Sequence, residues 1–201
     1  FRFFRAEGDG NTVHVLSPDG GKVLESMVFP RQPRTDGLCI SDYVSPKGGV
    51  PDHFAVFYTT CGVGVREVSE KLKHAGKYLH SHIIQALALE TAEAYAEFLH
   101  TKLRMMWGFA DPPETTMLDR FQANYRGNRY SFGYPACPDL EGQAIIFRLL
   151  DPAPIGVGLT EGFMMEPEAS VSAMVFHHPD AKYFAIKPAA EGAAAEAEAA
   201  S

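Results

Sequence analysis

Apolar residues gather in short β-prone stretches at both ends of the chain and in one long helical pattern between them. "NTVHVLSPDGGKVLESMVF" carries two such stretches around Pro18-Asp19-Gly20-Gly21, and predicts a hairpin. "FPRQP" breaks the pattern with Pro30 and Pro33. "LCISDYV" and "HFAVFYTTCGVGV" are the next predicted strands, with Asp42 at the end of the first or just inside it. From about Ser69 to Trp107 the chain is rich in Ala, Leu, Glu and Lys, contains no proline, and predicts helix divided near Gly76. In its longer part Ile84, Leu87, Tyr95, Phe98 and Leu99 approximate a buried stripe, and Pro112 and Pro113 stop the run.

Residues 115–125 predict a short helix, 125–138 an ordered irregular loop, and "LEGQAIIFRLLD" another helix. Two closing strands are expected at 155–165 and 171–177. Strands, then helices, then strands again give an α+β fold: a curved single domain with a twisted, largely antiparallel sheet and flanking helices. The sequence leaves open whether residues 1–28 join that sheet as a lead-in hairpin or form a linker. The domain proper is expected over 29–187, with a frayed Ala/Glu-rich tail over 188–201.

With 201 residues and 46% apolar content, the chain suits one soluble domain. Of the net charge of −7, three units come from Glu191, Glu196 and Glu198 in the tail, so the body is mildly acidic and shows no basic stripe. That argues against nucleic-acid binding. No apolar run approaches the roughly 20 residues of a membrane helix, and no signal peptide is visible. Cys39, Cys61 and Cys137 are few, odd in number and far apart, as for free thiols in a reducing cytoplasm. A start at Phe1 rather than Met suggests a piece of a longer polypeptide.

Familiar catalytic signatures are missing: "CGVGVRE" has the wrong spacing for a phosphate loop, and there is no nucleophile elbow. His177 and His178 are adjacent, so on a strand they would face opposite ways, which disfavours a shared metal. Glu90, Glu93 and Glu97 share one side of the long helix, either as a solvated acidic face or with one turned inward. Asp42 could equally serve a turn or a ligand, and Cys137 reads as a packed thiol. The segment "YRGNRYSFGYPACP" is the stronger signal. Gly127, Gly133, Pro135 and Pro138 can hold Arg126, Arg129 and Tyr134 in a rigid loop, and a guanidinium fork suits a carboxylate or phosphate. A surface arginine covering a tyrosine ring is the competing explanation.

At this loop "RxxxGYPACPD", Arg129 to Asp139, resembles the signature of the activation domain of cobalamin-dependent methionine synthase. "FPRQP" with "LCISDYVSPK", "ALALETAEAYAEFLH" with "WGFA", and "GLTEGFMMEPEASVSAMVFHHPDAKYFAI" resemble further blocks of it, in order, over about Phe29 to Ile186. The resemblance implies an S-adenosylmethionine-binding C-terminal module of a cytoplasmic methyltransferase. That enzyme makes methionine from homocysteine and methyltetrahydrofolate. The module would present the sulfonium methyl to cob(II)alamin during reductive methylation, with a flavodoxin-type protein as electron donor. Cobalamin would sit in a neighbouring domain of the same enzyme and zinc in the homocysteine domain, with no metal and no catalytic residue here. A stand-alone reactivase of a separate corrinoid protein is the alternative.

Carried over residue by residue, Asp42 would accept from the ligand's ammonium group and Arg129 would pair with its carboxylate. Glu93 would meet polar groups of the nucleoside, Tyr134 would lie near the methyl-donor end, and Tyr183 and Phe184 would line the site, partly through backbone atoms. Two departures stand out: "RYSFGY" replaces the family's frequent "RPAPGY", and Tyr183-Phe184 replaces a frequent Tyr-Tyr pair.

Overall fold

The computed structural model describes residues 1–186. One six-stranded antiparallel sheet organises them, in the order β3-β2-β1-β4-β8-β5. β1 (Arg2–Asp9), β2 (Thr12–Leu16) and β3 (Val23–Val28) make up one half of it. The hairpin expected at Pro18–Gly21 joins β2 to β3: the Ser17 amide donates to the Lys22 carbonyl at 2.8 Å, and the Asp19 carboxylate accepts from the Gly21 amide at 3.1 Å. Residues 1–28 therefore belong to the sheet.

β4 (Asp52–Thr60) joins β1 to β8 (Ser170–Phe176), and β5 (Asn128–Tyr130) closes the far edge. Alternation along β4 and β8 builds two cores. Phe54, Val56, Tyr58, Met174 and Phe176 face one side with Phe4, Val13, Val15 and Met27 of β1–β3. Ile146, from helix α4 (Gln143–Leu150), closes over that side. Ala55, Phe57, Ala173 and Val175 face the other side, against Ala96 and Leu103 of the long helix.

Helix α1 (Val65–His74) and helix α2 (Tyr78–Met106) flank the expected break: Gly76 has φ +72°, a left-handed conformation that glycine adopts without a Cβ penalty. The helical run thus begins at Val65, and the strand expected through "CGVGV" ends at Thr60. The expected apolar stripe of α2 is not its buried face. Leu87, Tyr95 and Phe98 are 58%, 48% and 54% exposed, and Ile84 and Leu99 are half-buried. The buried face instead carries Ala88, Ala92, Ala96, His100 and Leu103. Small side chains at four-residue spacing let the helix backbone sit close against Ala55 and Ala173, which bulky residues would prevent.

Three further expectations change. "LCISDYV" is not a strand, because Ile40–Tyr43 form a 3-10 helix in which the Asp42 carboxylate caps the Cys39 amide at 3.2 Å. The segment 125–138 contains the edge strand β5 as well as loop. The strand expected at 155–165 shrinks to the ribbon of β6 (Gly158–Leu159) and β7 (Met165–Glu166), outside the main sheet. Helix α3 (Met117–Phe121) falls within the predicted 115–125, and the tail over 188–201 lies outside the described residues.

Candidate functional site

Three segments distant in sequence meet at the β5 edge. Gly127 opens it with φ +78°, and a Cβ there would come within 2.6 Å of the Phe176 carbonyl oxygen, so only glycine lets the chain turn onto β8 at this point. Pairing with β8 then sets Asn128 opposite Phe176, Arg129 opposite Val175 and Tyr130 opposite Met174. Tyr130 is buried on the larger core, where its ring stacks on Tyr43 of the 3-10 helix at 5.9 Å and lies 6.1 Å from Phe184. The Tyr130 hydroxyl donates to the Lys182 carbonyl at 2.7 Å. The Ile186 amide donates to the Pro135 carbonyl at 2.8 Å, and Gln32 Nε2 donates to the Ala185 carbonyl at 2.9 Å. The segment around Asp42, the signature loop and the terminal aromatic pair are thereby fastened together.

The period of two along β5 sends Arg129 to the opposite face, toward α2. Its Nη1 donates to Glu97 Oε2 and lies 3.4 Å from His100 Nδ1. Burial works against the Arg129 charge, but the hydrogen bond and charge of Glu97, followed by Tyr125 and Glu93, outweigh it and hold the guanidinium pKa above its ordinary value. Tyr125 also donates to Glu97 Oε2, at 3.3 Å.

Behind Glu97, the side chain of Arg104 is fully buried and its Nη2 lies 3.9 Å from Glu97 Oε1. Asp111 holds Arg104 in a two-pronged pair, at 2.5 Å to Nε and 2.7 Å to Nη2. The ring of Tyr125 lies 3.7 Å from the Arg104 guanidinium carbon. Two guanidinium groups thus alternate with two carboxylates, the arrangement that makes buried charge tolerable. His100 is fully buried; desolvation first, then the charges of Arg104 and Arg129, push its pKa well below the ordinary histidine value and keep it neutral. Arg129 Nη1 can only donate, so the Nδ1 facing it accepts, which leaves the buried Nε2 with the proton and without a partner among the described residues.

Asp42 is engaged by a residue that the sequence reading did not single out. Arg31 donates from Nη1 to Oδ2 and from Nη2 to Oδ1, both at 2.6 Å. Its remaining donors reach Asn11 Oδ1 and the Gly37 carbonyl, each at 2.9 Å. Its hydrogen bonding to Asp42 is the main reason the Arg31 pKa lies above its ordinary value. The available signal was Arg31's place inside "FPRQP", eleven residues before Asp42.

Glu93 is exposed on α2, close enough for its charge to act on Arg129. Tyr134 and Tyr183 are 54% and 53% exposed. Phe184 is buried and contributes through packing on Tyr43 and Tyr130. Cys137 is buried, and desolvation pushes its thiol up to about 12, so it is a packed and unreactive group.

His177 and His178 do diverge: His177 packs on Trp107 and bonds Asp52 at 2.6 Å, while His178 lies against Tyr43. Two clefts, of about 320 Å³ beside Phe132 and about 610 Å³ between α1 and β7, are lined by none of Asp42, Glu93, Arg129, Tyr134, Tyr183 and Phe184. Asp42 and Arg129 are each paired internally, with Arg31 and with Glu97, and Tyr134 and Tyr183 leave two exposed phenols.

The family described as vitamin B12 dependent methionine synthase, activation domain, matches residues 1–196. Methionine synthase of Mycobacterium tuberculosis (strain ATCC 25618 / H37Rv) is 35% identical over 201 residues, which is 92% of this chain and 17% of that protein. Its counterpart in Mycobacterium leprae (strain TN) is 33% identical, over 92% of this chain and 16% of that protein. The chain thus spans about a sixth of the length of these relatives. Among solved structures, the crystal structure of the MetH reactivation domain bound to AdoHcy superposes with a TM-score of 0.86 at 31% identity, covering 98% of this chain and 64% of that one. By sequence match and by fold, this chain belongs to the family of activation domains of vitamin B12 dependent methionine synthases.

Proposed function

We propose that this chain is the reactivation module of a multidomain methionine synthase and binds S-adenosylmethionine on the surface between Asp42 and the signature loop. The likeness to a reactivation domain bound to AdoHcy carries the reading, because the ligand's demethylated form sits on the same fold at 31% identity. The chain's own residues fit such a ligand. Arg129 Nη1 is taken by Glu97, whereas Nε and Nη2 make no hydrogen bond among the described residues and can meet a carboxylate as a two-donor edge. The Asp42 carboxylate has accepting capacity left beyond Arg31 and Cys39 for an ammonium group. Glu93 offers an acceptor to the nucleoside; Tyr134 and Tyr183 offer exposed rings, the faces that attract a sulfonium.

On this reading the domain contributes position and no catalytic side chain of its own. Cobalamin, held by a neighbouring domain, supplies the nucleophilic cobalt. Asp42 and Arg129 fix the amino-acid end of the ligand, Phe184 and Tyr130 stiffen the wall behind it, and the phenols border the end that carries the methyl. Most of the rate gain available to such a transfer lies in alignment. The parent enzyme would be a cytoplasmic methyltransferase acting on homocysteine and methyltetrahydrofolate, with zinc in its homocysteine domain and a flavodoxin-type protein as electron donor. Its relatives' length supports a fused enzyme over a stand-alone reactivase.

Calorimetric titration of this chain with S-adenosylmethionine and S-adenosylhomocysteine tests binding. Saturable heat together with a raised melting temperature is expected. Absence of both at millimolar ligand would remove the proposal.

A further inference from the structure

The chain holds a shielded charge relay that the proposed ligand meets only at its last member: Asp111, Arg104, Glu97 and Arg129, in that order. Each link is shielded from water, with side-chain exposures of 5% for Asp111, 0% for Arg104, 15% for Glu97 and 25% for Arg129. The end nearest the candidate site is Arg129, and only its Nη1 is spent on the relay. Its Nε and Nη2 make no hydrogen bond among the described residues, and a quarter of the side chain is exposed.

A free arginine side chain sweeps through many rotamers, and ordering it on a ligand costs side-chain entropy. Here that ordering is already done. Glu97 is held by Tyr125 from one side and Arg104 from another, and Asp111 locks Arg104 in a two-pronged pair. Neutral His100 presents its Nδ1 lone pair to the same Arg129 nitrogen without adding a third positive charge.

We propose that Glu97, backed by Arg104 and Asp111, is the positioning residue of the site: it grips Nη1 of Arg129 and thereby presents the Nε–Nη2 edge, fixed in advance, to the ligand carboxylate. The proposal rests on the reading that Arg129 pairs with that carboxylate. Glu97 is thus not a ligand contact like its neighbour Glu93. It sets selectivity for ligands that carry a carboxylate.

The test is titration of this chain with S-adenosylhomocysteine and with its decarboxylated analogue, comparing wild type with Glu97→Gln, Tyr125→Phe and Arg129→Ala. Glu97→Gln keeps the side chain's size and loses its charge; it should weaken S-adenosylhomocysteine binding about tenfold or more. It should leave the decarboxylated analogue's affinity unchanged, which also reports that the variant is folded. Tyr125→Phe should shift the same ligand selectively, by a smaller factor. If Arg129→Ala costs affinity while Glu97→Gln costs none, or costs both ligands equally, the positioning role is overturned and the arginine reading survives. If Arg129→Ala leaves the affinity for S-adenosylhomocysteine unchanged, the arginine reading falls and the positioning role falls with it.

Discussion

At the scale of single residues, the two opposite charges of the candidate site are each already held by an internal partner, Asp42 by Arg31 and Arg129 by Glu97. Arg129→Ala strips a charged donor from the ligand carboxylate and should weaken S-adenosylmethionine binding by about 2 kcal/mol or more, measured by calorimetry. Asp42→Asn keeps one accepting oxygen and should cost less than Arg129→Ala in the same assay. An unchanged affinity in either variant would take that residue out of the site. In the sequence, a guanidinium among glycines and prolines suits an anion and equally suits a surface arginine over a tyrosine ring. The partners of Asp42 and Arg129 were not legible there. Glu90, Glu93 and Glu97 look alike in spacing, and only the approach of β5 to α2 selects Glu97 for Arg129.

Among the elements, α2 shows how a pattern can mislead. Large apolar residues on one side suggested a buried stripe, yet that side is largely exposed and the alanine side is packed. Ala96→Leu should overpack the contact with Ala55 and Phe57 and destabilise the fold by about 1–3 kcal/mol in urea unfolding. Leu87→Gln, on the exposed side, should change stability by no more than about 0.5 kcal/mol. The reverse order of effects would restore the stripe read from the sequence. β5 is the other decisive element, because it delivers Tyr130 to the core and Arg129 to α2 in consecutive residues. Gly127→Ala meets both a positive φ and the Phe176 carbonyl, so it should displace β5. Ligand affinity and melting temperature should fall together.

Across the whole molecule, the buried charges around Arg104 and the neutral His100 beside them make stability sensitive to acid. The folded pKa of His100 lies well below 6.5, so the unfolded chain takes up a proton that the folded one refuses. Stability is therefore full above about pH 6.5 and falls as pH drops toward the folded value, by at most about 1.4 kcal/mol per pH unit. Asp111, held low chiefly by its hydrogen bond to Arg104, adds a second loss on the same acid side, starting only as pH falls toward 3.8 and completed through its lower folded value. Urea midpoints at pH 7.5 and 5.5 should show the first loss, and His100→Gln should flatten it. Equal midpoints in the wild-type chain would contradict a buried neutral imidazole. On the proposed function, which leaves the nucleophile to another domain, the isolated chain should bind ligand and methylate no small thiol; turnover would contradict that reading.

The linear order of residues determined the α+β class, the hairpin at Pro18–Gly21, the helix break at Gly76 and the family, because turn chemistry, periodicity and signature spacing are local properties. It left undecided the place of residues 1–28 in the sheet, the buried face of α2, and the partners of Asp42 and Arg129. These depend on which surfaces meet across long stretches of chain. Strand pairing and the close fit of small side chains settle that, and neither is written in any one segment.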